Sequence, residues 1–105
     1  MAIARLETSD LANTKTAVRR TLQWLAQQHP GRSVEIRVPP YAAVQAFEGI
    51  RHTRGTPPNV IETDPATWLD LVAGRVAFAD AVADGRLRAS GTRADLADFL
   101  PLTAP

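Results

Sequence analysis

Apolar positions change period along this chain, and the changes mark its elements. Over residues 9–28, Leu11, Val18, Leu22 and Leu25 recur at helical spacing, with Ala17 and Ala26 widening the stripe. Ser9 or Asp10 can cap this helix, and His29-Pro30-Gly31 ends it. Trp24 lies off the centre of the stripe, so its indole either flanks the core or covers a partner or the mouth of a cavity. The period then drops to two. Val34, Ile36 and Val38 share one face of a strand over residues 33–38, opposite Glu35 and Arg37. Pro39-Pro40 ends it, since neither residue can donate to a ladder. A second strand, about residues 41–48, sets Ala42, Val44 and Ala46 against Ala43, Gln45 and Phe47. Its small side chains leave space above the sheet, which a helix fills or a ligand shares.

Residues 60–100 hold the densest run of signals. Val60 to Thr63 is a β-branched strand, Asp64 stands where a helix N-cap belongs, and Pro65 follows at the first helical position. Trp68, Leu69, Leu71 and Val72 form an apolar face, and Gly74 ends that helix as a left-handed cap. Phe78 and Val82 mark a second short helix, closed by Gly85. Residues 86–90 alternate charged and apolar as a half-buried strand. Thr92, with Asp95 three residues on, is expected to cap a last helix carrying Leu96, Phe99 and Leu100, which Pro101 stops.

The stretch ETDPATWLDLVAGRVAFADAVADGRLRASG resembles the C-terminal half of sterol carrier protein 2-like domains, down to their closing G-x-[LI]-x-x-x-G. The loop RHTRGTPPNV is similar to one in a small actinobacterial branch of that superfamily. The resemblance covers roughly residues 34–100. It implies one domain over residues 1–105 with an α+β fold: a four- to five-stranded, mainly antiparallel sheet covered by helices on one face. It also implies a non-catalytic protein with an apolar cleft between helices and sheet for a sterol, fatty acid or acyl-CoA. Trp68, Leu71, Val72, Phe78, Val82, Leu96, Phe99 and Leu100 would line that cleft. On helical spacing alone, the same side chains are core.

Size constrains such a cleft. A pocket of roughly 300 Å³ is typical of small-ligand sites. Left dry and enclosed, it would cost about 24 cal/mol per Å³, on the order of 7 kcal/mol, against a total stability of ~5–15 kcal/mol. The cleft is therefore small, or open to solvent, or filled by a ligand or by a helix of a second subunit in a homodimer.

Composition narrows the chemistry further. Twelve Lys and Arg against eleven Asp and Glu give a net charge of +1, with the signs interspersed, which argues against a nucleic-acid binder. No run approaches the ~20 apolar residues of a membrane span, and the start MAIARLETSDL lacks the ~7–15-residue apolar core of a secretory signal. A cytoplasmic protein with at most transient membrane-surface contact is expected. Without cysteine, and with His29 and His52 in separate loops, neither a metal site nor a cofactor is indicated. No catalytic residue is assigned. Arg51, His52 and Arg54 form the one polar cluster with a functional reading, as a loop that holds an anionic head group; alternatively, the arginines pair with Glu48 or Glu62 and pin the loop. Asn59 is assigned to shaping the turn. Two rival roles remain: a protein-interaction or accessory module with this fold but no lipid tunnel, of the kind attached to acetyltransferases and thiol-dependent isomerases, and an enzyme subunit acting through His52 and the arginines.

Overall fold

A computed structural model describes residues 13–49 and 59–102. Helix α1 spans Thr14–Gln28 and is capped by Asn13, whose Oδ1 accepts from the Thr16 N–H at 3.2 Å. The expected caps Ser9 and Asp10, and Leu11 of the stripe, lie outside the described residues. Ala17, Val18, Leu22 and Leu25 are buried as the stripe requires, and Thr21 is buried with them.

Four strands follow the order of the chain: β1 Val34–Val38, β2 Ala42–Ala46, β3 Asn59–Thr63 and β4 Leu87–Ser90. They form one sheet in the order β2-β1-β3-β4. The outer ladders are antiparallel, with Ile36 opposite Val44 and Glu62 opposite Arg88, whereas β1 and β3 run parallel with Ile36 beside Ile61. This is the expected α+β fold, with a four-stranded mixed sheet and helices packed on its apolar face. Ile36, Val38 and Ile61 are completely buried there. The opposite face is polar, and across it Arg37, Glu62 and Arg88 alternate in sign from strand to strand.

Helix α2, Pro65–Ala73, begins as its sequence dictates. Asp64 Oδ1 accepts from the Thr67 N–H at 2.9 Å and Oδ2 from the Thr67 hydroxyl at 2.8 Å. Gly74 ends the helix in the left-handed conformation (φ 79°). Trp68 is the largest fully buried side chain, and its Nε1–H donates to Thr21 Oγ1 at 2.7 Å. Helices α1 and α2 are thus joined by a polar bond inside an apolar core.

Three expectations are corrected. Helix α3, Phe78–Ala83, buries Phe78 and Ala81 but leaves Val82 41% exposed. With six residues it turns only one narrow side to the core, and that side follows i, i+3 rather than i, i+4. In β4 only Leu87 is buried and Ala89 is exposed, because β4 is an edge strand beside this short helix. The last helix is a single 3₁₀ turn, Ala97–Phe99. Asp95 Oδ1 takes the Ala97 N–H at 2.9 Å, and the chain then extends at Leu100 so that the Leu102 N–H can donate to Val72 O at 3.1 Å. An isolated stretch this short has little helical stability of its own to resist that tie.

Two outcomes are expected of this framework. Thr21→Val leaves the indole N–H of Trp68 buried without an acceptor, at a cost of about 1–3 kcal/mol, read as a fall in Tm of about 4–8 °C per kcal/mol. Asp64→Ala costs about 1 kcal/mol at neutral pH. Burial pushes the Asp64 carboxyl up, but hydrogen bonds from Thr67 and from backbone N–H groups outweigh it and hold the group below the usual carboxylate range. The folded pKa lies under the unfolded one, so the cap stabilises fully above the unfolded value and is lost as pH falls through the folded one. Denaturation of both proteins along a pH series should show the gap closing in acid.

Candidate functional site

The ends of α1, β1, β2 and β3 converge beside the 3₁₀ turn. Ser33, just before β1, donates its Oγ–H to Phe47 O at 2.9 Å, and its N–H reaches the same oxygen at 3.0 Å. The Phe47 N–H donates to His29 O at 2.6 Å. Asn59 Nδ2 donates to Ser33 O at 2.8 Å, while its Oδ1 accepts from the Arg93 N–H at 2.9 Å. Asn59 therefore does more than shape a turn: as the buried first residue of β3 it ties β1 to the segment after β4.

This network holds Phe47 in a left-handed conformation (φ 65°), unique among the described non-glycine residues. Such a conformation costs on the order of 1–3 kcal/mol. It also brings three rings together. His29 stacks on Phe47 with centroids 4.9 Å apart, and Phe99 meets His29 edge-on and Phe47 at a tilt, each at 4.8 Å. Aromatic contacts of this kind contribute about 0.5–1.5 kcal/mol each, enough together to offset the strain. Gly31 permits the arrangement, since a Cβ there would stand 2.0 Å from the carbonyl carbon and oxygen of Phe47.

Two cavities, both open to solvent, flank the ring cluster. A cavity of about 210 Å³ is lined by Val34, Phe47, Arg93, Asp95 and Phe99. The other, about 320 Å³, runs between the C-terminal end of α1 and the 3₁₀ segment, past Trp24, Leu25, Gln28, His29 and residues 98–102. Phe99 lines both and is 37% exposed. A third hollow of about 260 Å³, lined by Pro39, Gly85, Thr63 and charged side chains including Asp64, Arg86 and Arg88, lies at the far end of the sheet.

The structure divides the sequence-derived cleft residues into three groups. Trp68, Leu71, Val72 and Leu96 are fully buried and Phe78 nearly so, all within the core cluster. Phe99 and half-buried Leu100 face the cavities, as does Trp24, which packs against the core and borders a cavity at once. Val82 stands apart, exposed on α3. Arg51, His52 and Arg54 lie outside the described residues. Sequence reasoning missed Phe47 and His29 as partners of Phe99, and Arg93 at the rim. The one available signal was a glycine, Gly31, whose tight approach to Phe47 no local pattern reveals. Among the described residues no group of three or more His, Asp or Glu could hold a metal ion, and no helix is long and apolar enough to cross a membrane.

Gly31→Ala should cost about 1–3 kcal/mol, the range for forcing atoms into a packed site, because backbone stands in the way of the added methyl. Urea denaturation checks the loss; an unchanged midpoint would mean that the 29–33 turn and Phe47 are not held together as described.

A family model described as a bacterial SCP ortholog matches residues 10–102, a span that includes every described element. Among curated proteins no match is found.

Proposed function

Because the chain belongs to the bacterial SCP ortholog family, a group of sterol carrier protein 2-like domains, we propose that it is a small cytoplasmic, non-catalytic binder of an apolar ligand such as a sterol, fatty acid or acyl-CoA. The observation that carries this reading is the solvent-open hollow lined chiefly by Val34, Phe47 and Phe99, with a second, more polar hollow beside it that runs past Trp24 and His29. Their volumes sit at or below the lower end of the small-ligand range. Because they are open, they escape the cost of an enclosed void. Phe99, Leu100 and Trp24 would touch the ligand, while Trp68, Leu71, Val72, Phe78 and Leu96 support the wall from behind. Arg51, His52 and Arg54 keep their reading as a head-group loop; the described residues on either side of their segment, Gly49 and Asn59, adjoin Arg93 and Ser33.

A second reading has its own support. The helix–sheet interior is packed shut around Trp68, whose N–H is satisfied internally, as an accessory module without a tunnel requires. The two readings differ in what Trp24 reports. Titration with dodecanoate should change the emission of the wild-type protein. In a Trp24→Phe variant, the remaining Trp68, sealed in the core, should not respond. No change in either protein, together with a dimer free of bound small molecules in native mass spectrometry, would favour the accessory module.

A further inference from the structure

We propose that the free edge of β2 is a docking site for an extended acidic segment of a partner protein, which adds to the sheet as a further strand beside α1. The inference stands apart from the apolar-ligand reading. It uses neither hollow beside Phe99, so either can fail without the other.

Strand β2 lies at one end of the sheet, with β1 on its inner side and no strand outside it among the described residues. Edge strands in native proteins are commonly guarded by a charge, a proline or a bulge. At the opposite end, β4 follows that rule with exposed Arg88. Strand β2 carries no charge and no proline. Its pairing with β1 runs without a bulge, from Val34 opposite Ala46 to Val38 opposite Ala42. Its helix-side residues are also incompletely covered. Ala42 and Val44 are half-buried, although Val38 and Ile36 directly opposite them are sealed. A further strand would bury this strip and pair the outer row of N–H and C=O groups at once.

Charge identifies the occupant. Helix α1 carries Lys15, Arg19 and Arg20 and no acid. Arg19 leans over the start of β2, its Nε donating to Tyr41 O at 3.4 Å, and Lys15 stands one turn before it on the same flank. On the open face of the sheet, Arg32 Nε donates to Gln45 Oε1 at 3.1 Å. The acids nearest in register or sequence leave Lys15, Arg19 and Arg32 unneutralised. Glu35, opposite Gln45, is taken by Arg37, and Glu48, just past the strand, makes no ion pair among the described residues. Cations thus flank β2 near Ala42 on the helix side and at Gln45 on the open side. Residues three apart along a strand point to opposite faces. The matching segment therefore carries two acids at that spacing, with an apolar residue opposite Val44. A second copy of β2 offers no acid, and would bring two basic α1 helices together.

The experiment is fluorescence anisotropy of the labelled peptide Thr-Val-Glu-Val-Thr-Glu-Thr, titrated with the full chain. Run antiparallel to β2, the peptide sets its first glutamate opposite Gln45 and its second opposite Ala42. Arg19→Gln and Arg32→Gln, both at exposed positions, should each weaken binding about two- to fivefold, the range for an exposed ion pair. A peptide with its fifth and sixth residues exchanged puts both acids on the open face, and should lose its dependence on Arg19. Only alternate N–H groups of an added strand face its neighbour, so the peptide is also made N-methylated at its odd or at its even positions. One form should bind roughly tenfold or more weakly and the other like the parent. Equal behaviour of the two methylated forms, no effect of either arginine, or no binding of the parent would overturn the proposal. A dimer of the protein in native mass spectrometry that the peptide does not dissociate would overturn it too, assigning the edge to a second copy.

Discussion

The hydrogen bond from Trp68 to Thr21 is the constraint on which the rest of the arrangement depends. An indole N–H sealed in apolar surroundings must find an acceptor, and 47 residues separate it from the one it has. Thr21 can serve because its own hydroxyl proton goes back to the α1 carbonyl of Ala17 or Val18, at 2.8 and 3.0 Å. The bond fixes α1 in rotation and in axial position against α2. Trp24 lies one turn further along α1, and His29 follows at the end of the helix. The rotation that satisfies Trp68 is thus also the one that brings an indole and an imidazole to the hollow at the end of α1.

At the other end of this mechanical path, the strands present the cleft through side chain-to-backbone bonds rather than through strand pairing. Ser33 and Asn59 convert the junction of β1, β2 and β3 into a closed polar circuit that reaches the backbone of Arg93. Each is buried and satisfied, which is the condition under which buried polar groups rigidify a site instead of weakening it. The result is an open hollow beside Phe47 and Phe99 whose rim is built of polar ties.

What could be read from the sequence was local. Asp64, Pro65 and Gly74 bound α2 through side-chain capping, a missing N–H and the absence of a Cβ, all of which act within one turn, and the structure agrees with them. The strand faces of β1 were equally legible, since alternation against a single core has only one solution. Tertiary ties decided the rest. Residues 92–100 carry a helical spacing, but the bond from Leu102 to Val72 pulls the chain straight. Val82 fits a helical face that a six-residue helix has no room to bury. Thr21 lay within the apolar stripe of α1, yet its partner was far away in sequence. The grouping of Phe47 with His29 and Phe99 depends on a positive φ at an aromatic residue, for which no residue preference gives warning.

The close approach at Gly31 has a bearing on how this domain can change over time. With backbone occupying the space where any side chain would begin, position 31 and the placement of the Phe47 ring form one inherited unit. A relative carrying any other residue there must have rebuilt the turn before β1, and with it the wall of the cleft. That single letter therefore sorts descendants of this fold into those that kept this pocket and those that have had to make another.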